Sequence, residues 1–150
     1  MRPPFFTDRN LGKQFATLLR DAGVDVVAHD DLFAQNTPDE EWLPRAGREG
    51  WVVLTRDKQI RWRANQRDLV MEHRVALLAL SGTGRTADIA RLVVENMAAV
   101  ERFLARHPPP FIAKVLPPAT PRRAAPGAAA RPPAGSVKMW LTEADWRAER

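Results

Sequence analysis

The sequence predicts an α/β fold in which a mostly parallel β-sheet carries helices on its faces. Short apolar runs alternate with segments of helical periodicity through the first 116 residues, which is the pattern of repeated strand–helix–strand units. The run 51–54, Trp-Val-Val-Leu, is continuous and rich in β-branched residues, as in a strand buried on both faces of a parallel sheet. Charged residues follow it directly, at the position where such sheets bind ligands, beyond the carboxyl ends of their strands.

The first elements are a strand, a helix and a second strand. We expect the first strand at 5–7, because Phe-Phe-Thr is a short apolar run that ends at Asp8. Residues 10–22 carry apolar side chains at helical spacing on one face, and Gly23 follows where a helix C-cap belongs. A second strand is expected at 24–27, and a polar loop follows it.

A second long helix is predicted to begin near Thr37. Thr37 can act as the N-cap, Pro38 suits the first helical position, and Glu40 completes a capping box. Pro44 should kink or shorten this helix, because it lacks a backbone N–H and lies more than a turn inside. Trp42 and Trp51 are assigned to the core.

The remaining elements continue the alternation of strands and helices. A helix is expected within the basic segment 58–73 and a continuous apolar strand at 75–80. The clearest helix in the chain is capped by Thr86 and carries an apolar stripe as far as Leu104. Three consecutive prolines end it, and 111–115 is expected to form a short edge strand.

The composition changes after Leu116. We therefore predict a domain over 1–116, followed by a flexible linker over 117–135 that is dominated by Pro, Ala and Arg. Residues 136–150 regain apolar character, with a helix start at Thr142. A helix of this length is marginal on its own, so the segment is expected to order only on contact with the domain or with a partner.

Composition narrows the class of protein. The chain has 150 residues, no Cys and three scattered His, which permits one domain with a real core and excludes disulfides and thiolate metal sites. It contains no run long enough to span a bilayer and no signal-peptide pattern, so a cytoplasmic protein is expected. The net charge of +5 is compatible with simple solubility or with a polyanionic partner such as nucleic acid.

Three carboxylates are expected to meet at one rim of the sheet. Asp8 ends the first strand, Asp57 follows the central strand, and Asp39 lies in the first turn of a helix that enters at the same edge. Clustered carboxylates repel one another unless a cation neutralises them. Mg²⁺ or Mn²⁺ prefers such oxygen ligands and could activate water against a phosphodiester.

Basic residues surround these acids in the sequence. They could hold a phosphate backbone beside the metal site, although each could equally belong to a solvated helix face. Trp62, which lies among them, could stack on a base or pack as a lid. The residues assigned to substrate binding are Arg9, Arg56, Lys58, Arg61 and Arg63.

Three motifs, taken in order, resemble the PIN-like domains of VapC-type toxins. They are the segment 5–12, Phe-Phe-Thr-Asp-Arg-Asn-Leu-Gly, the segment 39–42, Asp-Glu-Glu-Trp, and the segment 50–58, which ends in Thr-Arg-Asp-Lys; 110–113 extends the resemblance. The resemblance implies a three-layer PIN-like sandwich and a Mg²⁺- or Mn²⁺-dependent ribonuclease. Such a toxin is held inactive by a cognate antitoxin, and a homodimer is compatible with the family.

The family's catalytic acids carry over onto three residues of this chain. These are Asp8, Asp39 and Asp57, which the resemblance makes the metal ligands. The family pattern has a further acid on a middle helix that no residue here clearly matches. Glu40 and Asp31 are the candidates for this auxiliary position.

Other readings of the same residues stay open. The domain could be a nuclease that acts on DNA or on particular nucleic-acid structures, or a PIN-like module that binds nucleic acid or an antitoxin without catalysis. A haloacid-dehalogenase-like phosphatase is disfavoured because Asn10 stands where its second Asp would be. A receiver domain is disfavoured because Asp8 has no acidic neighbour.

Overall fold

The computed structural model describes residues 4–56, 63–82, 84–117 and 135–150. The described strands form one six-stranded sheet in the order β2-β1-β3-β4-β5-β6. The first five strands of the chain pair in parallel, and β6 pairs with β5 in the antiparallel direction. Their bounds are Phe5–Thr7 (β1), Val26–Ala28 (β2), Val52–Thr55 (β3), Ala76–Leu80 (β4), Phe111–Leu116 (β5) and Ser136–Thr142 (β6).

Helices cover both faces of the sheet, so the predicted α/β sandwich of three layers is confirmed. One face packs against α1, α5 and α6, and the other packs against α3, α4 and α7. The helix bounds are Gly12–Asp21 (α1), His29–Leu32 (α2), Asp39–Glu49 (α3), Ala64–Glu72 (α4), Thr86–Glu95 (α5), Met97–Arg106 (α6) and Glu143–Ala148 (α7).

The central strands are buried along their whole length. Every residue of β3 and of β4 is buried, because helices lie on both sides of these strands. Residues alternate between the two cores: Val52 and Leu54 face α1 and α5, whereas Val53 faces α3 and α4. The continuous apolar run in the sequence is therefore explained, as predicted, by burial on both faces of the sheet.

Two local predictions differ from the structure. The loop expected after β2 begins with the short helix α2, whose first residue, His29, is buried. The long helix expected from Thr86 is divided into α5 and α6 at Asn96. The buried Asn96 side chain donates to the carbonyl of Leu92 at 2.7 Å, and Asn is prone to such local bonding, which competes with regular helix.

The predicted capping box at the start of α3 is wrong. The helix begins one residue later than expected, so Pro38 is the N-cap and no side chain caps the helix. Thr37 is buried before the helix and Glu40 is exposed on it. Pro44 lies inside α3 without ending it, because the burial of Trp42, Leu43 and Ala46 holds the helix against the sheet.

The segment 136–150 packs on the sheet. Strand β6 pairs along β5 from Leu116 to Phe111, so β5 is an internal strand and not the edge strand that we expected. The following helix, α7, is capped by the Thr142 hydroxyl, which accepts from the N–H of Asp145 at 3.0 Å. This capped start was predicted, and the order of the segment comes from contact with the domain's own surface.

None of the described helices combines the length and the apolar character that a membrane span requires.

Candidate active site

Asp8 lies immediately beyond β1, at the carboxyl end of the sheet. Its N–H donates to the carbonyl of Leu54 in the neighbouring strand β3 at 3.1 Å. The Thr55 hydroxyl donates to Asp8 Oδ2 at 3.0 Å, and the N–H of Arg9 donates to Asp8 Oδ1 at 2.6 Å. These contacts fix the Asp8 carboxylate over the end of β3.

The surroundings of the Asp8 carboxyl raise its pKa. Its burial raises its pKa above the usual value, against the lowering effects of the Thr55 and Arg9 hydrogen bonds. The charge of Asp39 raises the pKa of Asp8 further, and His29 acts in the opposite direction. The charge of Asp39 therefore acts on Asp8, and the convergence of the two acids at one rim stays a prediction.

Asp39 occupies the first turn of α3 and is held by two N–H donors. Trp42, one turn further along the helix, donates its indole N–H to Asp39 Oδ1 at 3.0 Å. Gln66, near the start of α4, donates its amide Nε2–H to Asp39 Oδ2. Both oxygens of the carboxylate therefore have a fixed direction before any ligand binds.

The remaining acids are placed as follows. Asp57, the third predicted acid, lies outside the described residues. Asp31 lies on α2, where its carboxylate accepts from Arg20 at 2.9 Å in an exposed ion pair. Glu40 is exposed on α3. Among the residues that the structure describes, no third His, Asp or Glu joins Asp8 and Asp39 in a group that could hold a metal ion.

The basic residues that were predicted to bind the substrate differ in their exposure and in their contacts. Lys58 and Arg61 lie outside the described ranges, as does Trp62. Arg63 is exposed at the N-cap of α4, and Arg56 is half-buried after β3. Arg9 donates to the backbone carbonyls of Gln35 and Thr37 at 2.7 and 3.3 Å, so it ties down the loop that leads into α3.

No local sequence pattern marked Thr55, Gln66 or His29 as parts of the site. Gln66 is 27 residues from Asp39 in the chain, and Thr55 is 47 residues from Asp8, so no local pattern joins them. His29 is buried beside Phe6 and Trp42, and its Nδ1 lies 3.4 Å from Asp30 Oδ1. Trp42 and Trp51 were assigned to the core, and both are buried there.

The described side chains fit a hard divalent cation better than any other cofactor. Asp8 and Asp39 both supply carboxylate oxygens, and the charge of Asp39 adds to the effect of burial in raising the pKa of Asp8. The amide oxygen of Gln66, whose Nε2–H donates to Asp39, is buried without a hydrogen-bond partner in the described part of the chain. Such oxygen groups suit Mg²⁺ or Mn²⁺.

The chain is similar to known proteins over most of its length. Residues 3–82 match the model of a family described as "PIN like domain", and this range includes Asp8, Asp39 and Asp57. The chain is also 32% identical over 118 residues to a curated protein of Mycobacterium tuberculosis named "Putative ribonuclease VapC45". That alignment covers 75% of this chain and 85% of the relative. No solved structure matches the chain.

Proposed function

We propose that this chain, which belongs to the family of PIN-like domains of the VapC type, is a metal-dependent endoribonuclease. The observation that carries the proposal is the buried Asp8 carboxylate just beyond β1, held by the Thr55 hydroxyl and the Arg9 N–H, whose pKa is raised first by that burial and further by the charge of Asp39. A bound cation would relieve both effects. The name of the relative supports RNA as the substrate.

Asp8, Asp39 and Asp57 would hold Mg²⁺ or Mn²⁺. When bound, such an ion lowers the pKa of water and stabilises the developing charge on the phosphodiester oxygens. The protein contributes fixed ligand directions: Thr55 and the Arg9 N–H orient Asp8. Because these directions are set in advance, little reorganisation is needed at the moment of reaction.

The cations around the rim would bind the phosphate backbone of the RNA. Lys58, Arg61 and Arg63 are the residues proposed for this role, together with Arg56. Since phosphate contacts carry no sequence information, binding through them should be non-specific in sequence and should weaken with salt. Arg9 has a second role, because it holds the loop before α3.

The direct test is cleavage of labelled RNA and DNA oligonucleotides by the full chain, with Mn²⁺ and with a chelator. We expect cleavage of RNA that requires the metal and is lost in Asp8→Asn and Asp39→Asn. Asp21→Asn is the matched control, because Asp21 is an exposed acid at the end of α1, and it should cleave like the unmodified chain.

Any other outcome of this test favours an alternative to the proposed function. Cleavage of DNA but not RNA would favour the DNA nuclease. Binding of RNA without cleavage in any metal would favour a PIN-like module that acts through a nucleic acid or an antitoxin. Cleavage that persists in Asp8→Asn and Asp39→Asn would refute the proposed active site.

The salt dependence of RNA binding tests the basic residues separately. Removing Lys58, Arg61 and Arg63 together by substitution with Ala should lower the slope of log affinity against log salt by about 0.7 for each phosphate that the variant no longer neutralises. A filter-binding or anisotropy titration at several salt concentrations measures this slope. The same slope in the triple variant would place these side chains on a solvated face away from the RNA.

The resemblance also supports a cognate antitoxin as the protein partner. A VapC-type toxin requires such a partner to be tolerated by the cell that makes it. Co-expression with the product of an adjacent gene, followed by purification of a complex, is the test. A growth defect on expression of the chain alone, relieved by that product, is the expected result.

A further inference from the structure

Gln66 connects α4 to the candidate active site through a buried amide. The residue is 7% exposed, and its Nε2–H donates to Asp39 Oδ2. The orientation of the amide follows from this contact, because the opposite orientation would place the amide oxygen against the carboxylate oxygen. The Nε2 end of the Gln66 amide therefore donates to Asp39, and the Oε1 end makes no hydrogen bond to it.

The other end of the amide is unusual. The Gln66 Oε1 atom is buried and has no hydrogen-bond partner among the described residues. Buried acceptors are nearly always paired, because leaving one unpaired costs the free energy of its lost hydration. An unpaired buried acceptor beside the Asp39 carboxylate indicates that a donor belongs there which the described residues do not supply.

Asp39 keeps room for a ligand although both of its oxygens are already hydrogen-bonded. An ionised carboxylate has about four lone-pair directions, and Trp42 and Gln66 use one on each oxygen. The free directions on Asp39 and on Gln66 Oε1 belong to adjacent groups. A hydrated divalent cation could bind the Asp39 carboxylate directly, and one of its water ligands could donate a hydrogen bond to Gln66 Oε1.

We propose that Gln66 is a positioning residue of the metal site. Its amide N–H fixes the Asp39 carboxylate, and its amide oxygen accepts a hydrogen bond from the hydration shell of the cation. This inference rests on the proposed function, because it requires that Asp39 binds a metal ion.

The test is calorimetric titration of the full chain with Mn²⁺ alone, in the absence of RNA. Gln66→Met keeps the length of the side chain and removes both polar ends. We expect its affinity for Mn²⁺ to fall by about 10-fold or more, which is the usual effect of losing an outer partner of a metal ligand. The matched control is Gln14→Met, which makes the same change at an exposed position on α1 and should leave the affinity unchanged.

A second variant keeps the test decisive if Gln66→Met does not fold. Gln66→Glu retains an acceptor but places a carboxylate against Asp39. Since like charges in contact disfavour ionisation without a cation, we expect tighter Mn²⁺ binding and a larger rise in melting temperature on adding Mn²⁺ than in the unmodified chain. A merely structural role for Gln66 would alter the melting temperature of both variants and leave their Mn²⁺ affinities alone.

The outcomes separate this inference from the proposed function. Unchanged Mn²⁺ affinity in a folded Gln66→Met, or in Gln66→Glu, would overturn the role of Gln66 while leaving the metal site standing. Absence of Mn²⁺ binding by the unmodified chain would overturn the proposed function and this inference together.

Discussion

Trp146 provides a test of whether the last fifteen residues belong to the cooperative fold. Its side chain is 7% exposed and packs in the same core as Val70 and Met71 of α4. Its indole N–H donates to Asp68 Oδ1 of the same helix at 2.7 Å, across 78 residues of sequence. If these contacts form in the same transition as the sheet, removing them should lower the free energy of global unfolding.

The expected magnitude follows from burial and from the hydrogen bond. A buried Trp removes about 150–250 Å² from water, which at about 25 cal/mol per Å² corresponds to about 4–6 kcal/mol as an upper bound. Truncations of this kind cost about 3–5 kcal/mol, and we expect that range for Trp146→Ala. Trp146→Phe keeps most of the ring packing and loses the bond to the Asp68 carboxylate, so about 1.5–3 kcal/mol is expected.

Urea unfolding followed by far-UV circular dichroism measures these changes without relying on the altered Trp. Arg147→Ala is the control on the same helix, because the exposed pair of Arg147 and Glu143 and the contact of Arg147 with the Trp146 ring should together contribute no more than about 1 kcal/mol. A double-mutant cycle of Trp146→Phe with Asp68→Ala isolates the hydrogen bond. The cost of Trp146→Phe should shrink once Asp68 has been removed.

One result would refute the reasoning. If Trp146→Ala leaves the main transition unchanged and abolishes only a separate, earlier one, residues 136–150 dock on a core that is stable without them. The domain boundary predicted at Leu116 would then describe an independent folding unit. If the main transition shifts as expected, a chain truncated after Leu116 should be destabilised, because it leaves β5 without its partner strand β6.

Three further predictions concern single residues. Because the pKa of Asp8 is raised in the folded protein, its ionisation destabilises the metal-free fold at neutral pH. Asp8→Asn should therefore raise the urea midpoint at pH 7. This gain should vanish below pH 3.8, the ordinary pKa of an Asp carboxyl, because Asp8 is then protonated in both the folded and the unfolded chain. Gly47→Ala should destabilise the protein, although Ala favours helix by about 1 kcal/mol over Gly, because the added Cβ would overlap the backbone carbonyl of His73; a melting temperature equal to that of the unmodified chain would contradict this. Glu40→Gln should retain both stability and Mn²⁺ affinity in calorimetry, because Glu40 is exposed and does not cap α3; a loss of affinity at full stability would make Glu40 the missing auxiliary acid.

The sequence alone predicted the layered fold, which the structure confirms, and a site at the carboxyl rim of the sheet, which stays a prediction. Continuous apolar runs at β3 and β4 are buried between two layers of helices, so the pattern of the sequence was enough to predict a mostly parallel sheet with helices on its faces. The positions of Asp8 and Asp39 next to strand and helix ends predict that they share one rim; the pKa of Asp8 is raised first by its burial, with the charge of Asp39 as a smaller contribution. Asp57 lies outside the described residues, and its part in the site stays a prediction.

The tertiary structure alone decided which residues support these acids and where the chain's last segment lies. Gln66 meets Asp39, Thr55 meets Asp8, and Trp146 meets Asp68 across 27, 47 and 78 residues of sequence. Such contacts depend on how whole helices and strands pack against one another. The local spacing of residue types does not determine that packing, so it could not predict these contacts. For the same reason β6 could not be foreseen: a strand beyond a Pro- and Ala-rich segment gains its stability from the edge of β5, since an isolated strand has no partner for its backbone hydrogen bonds.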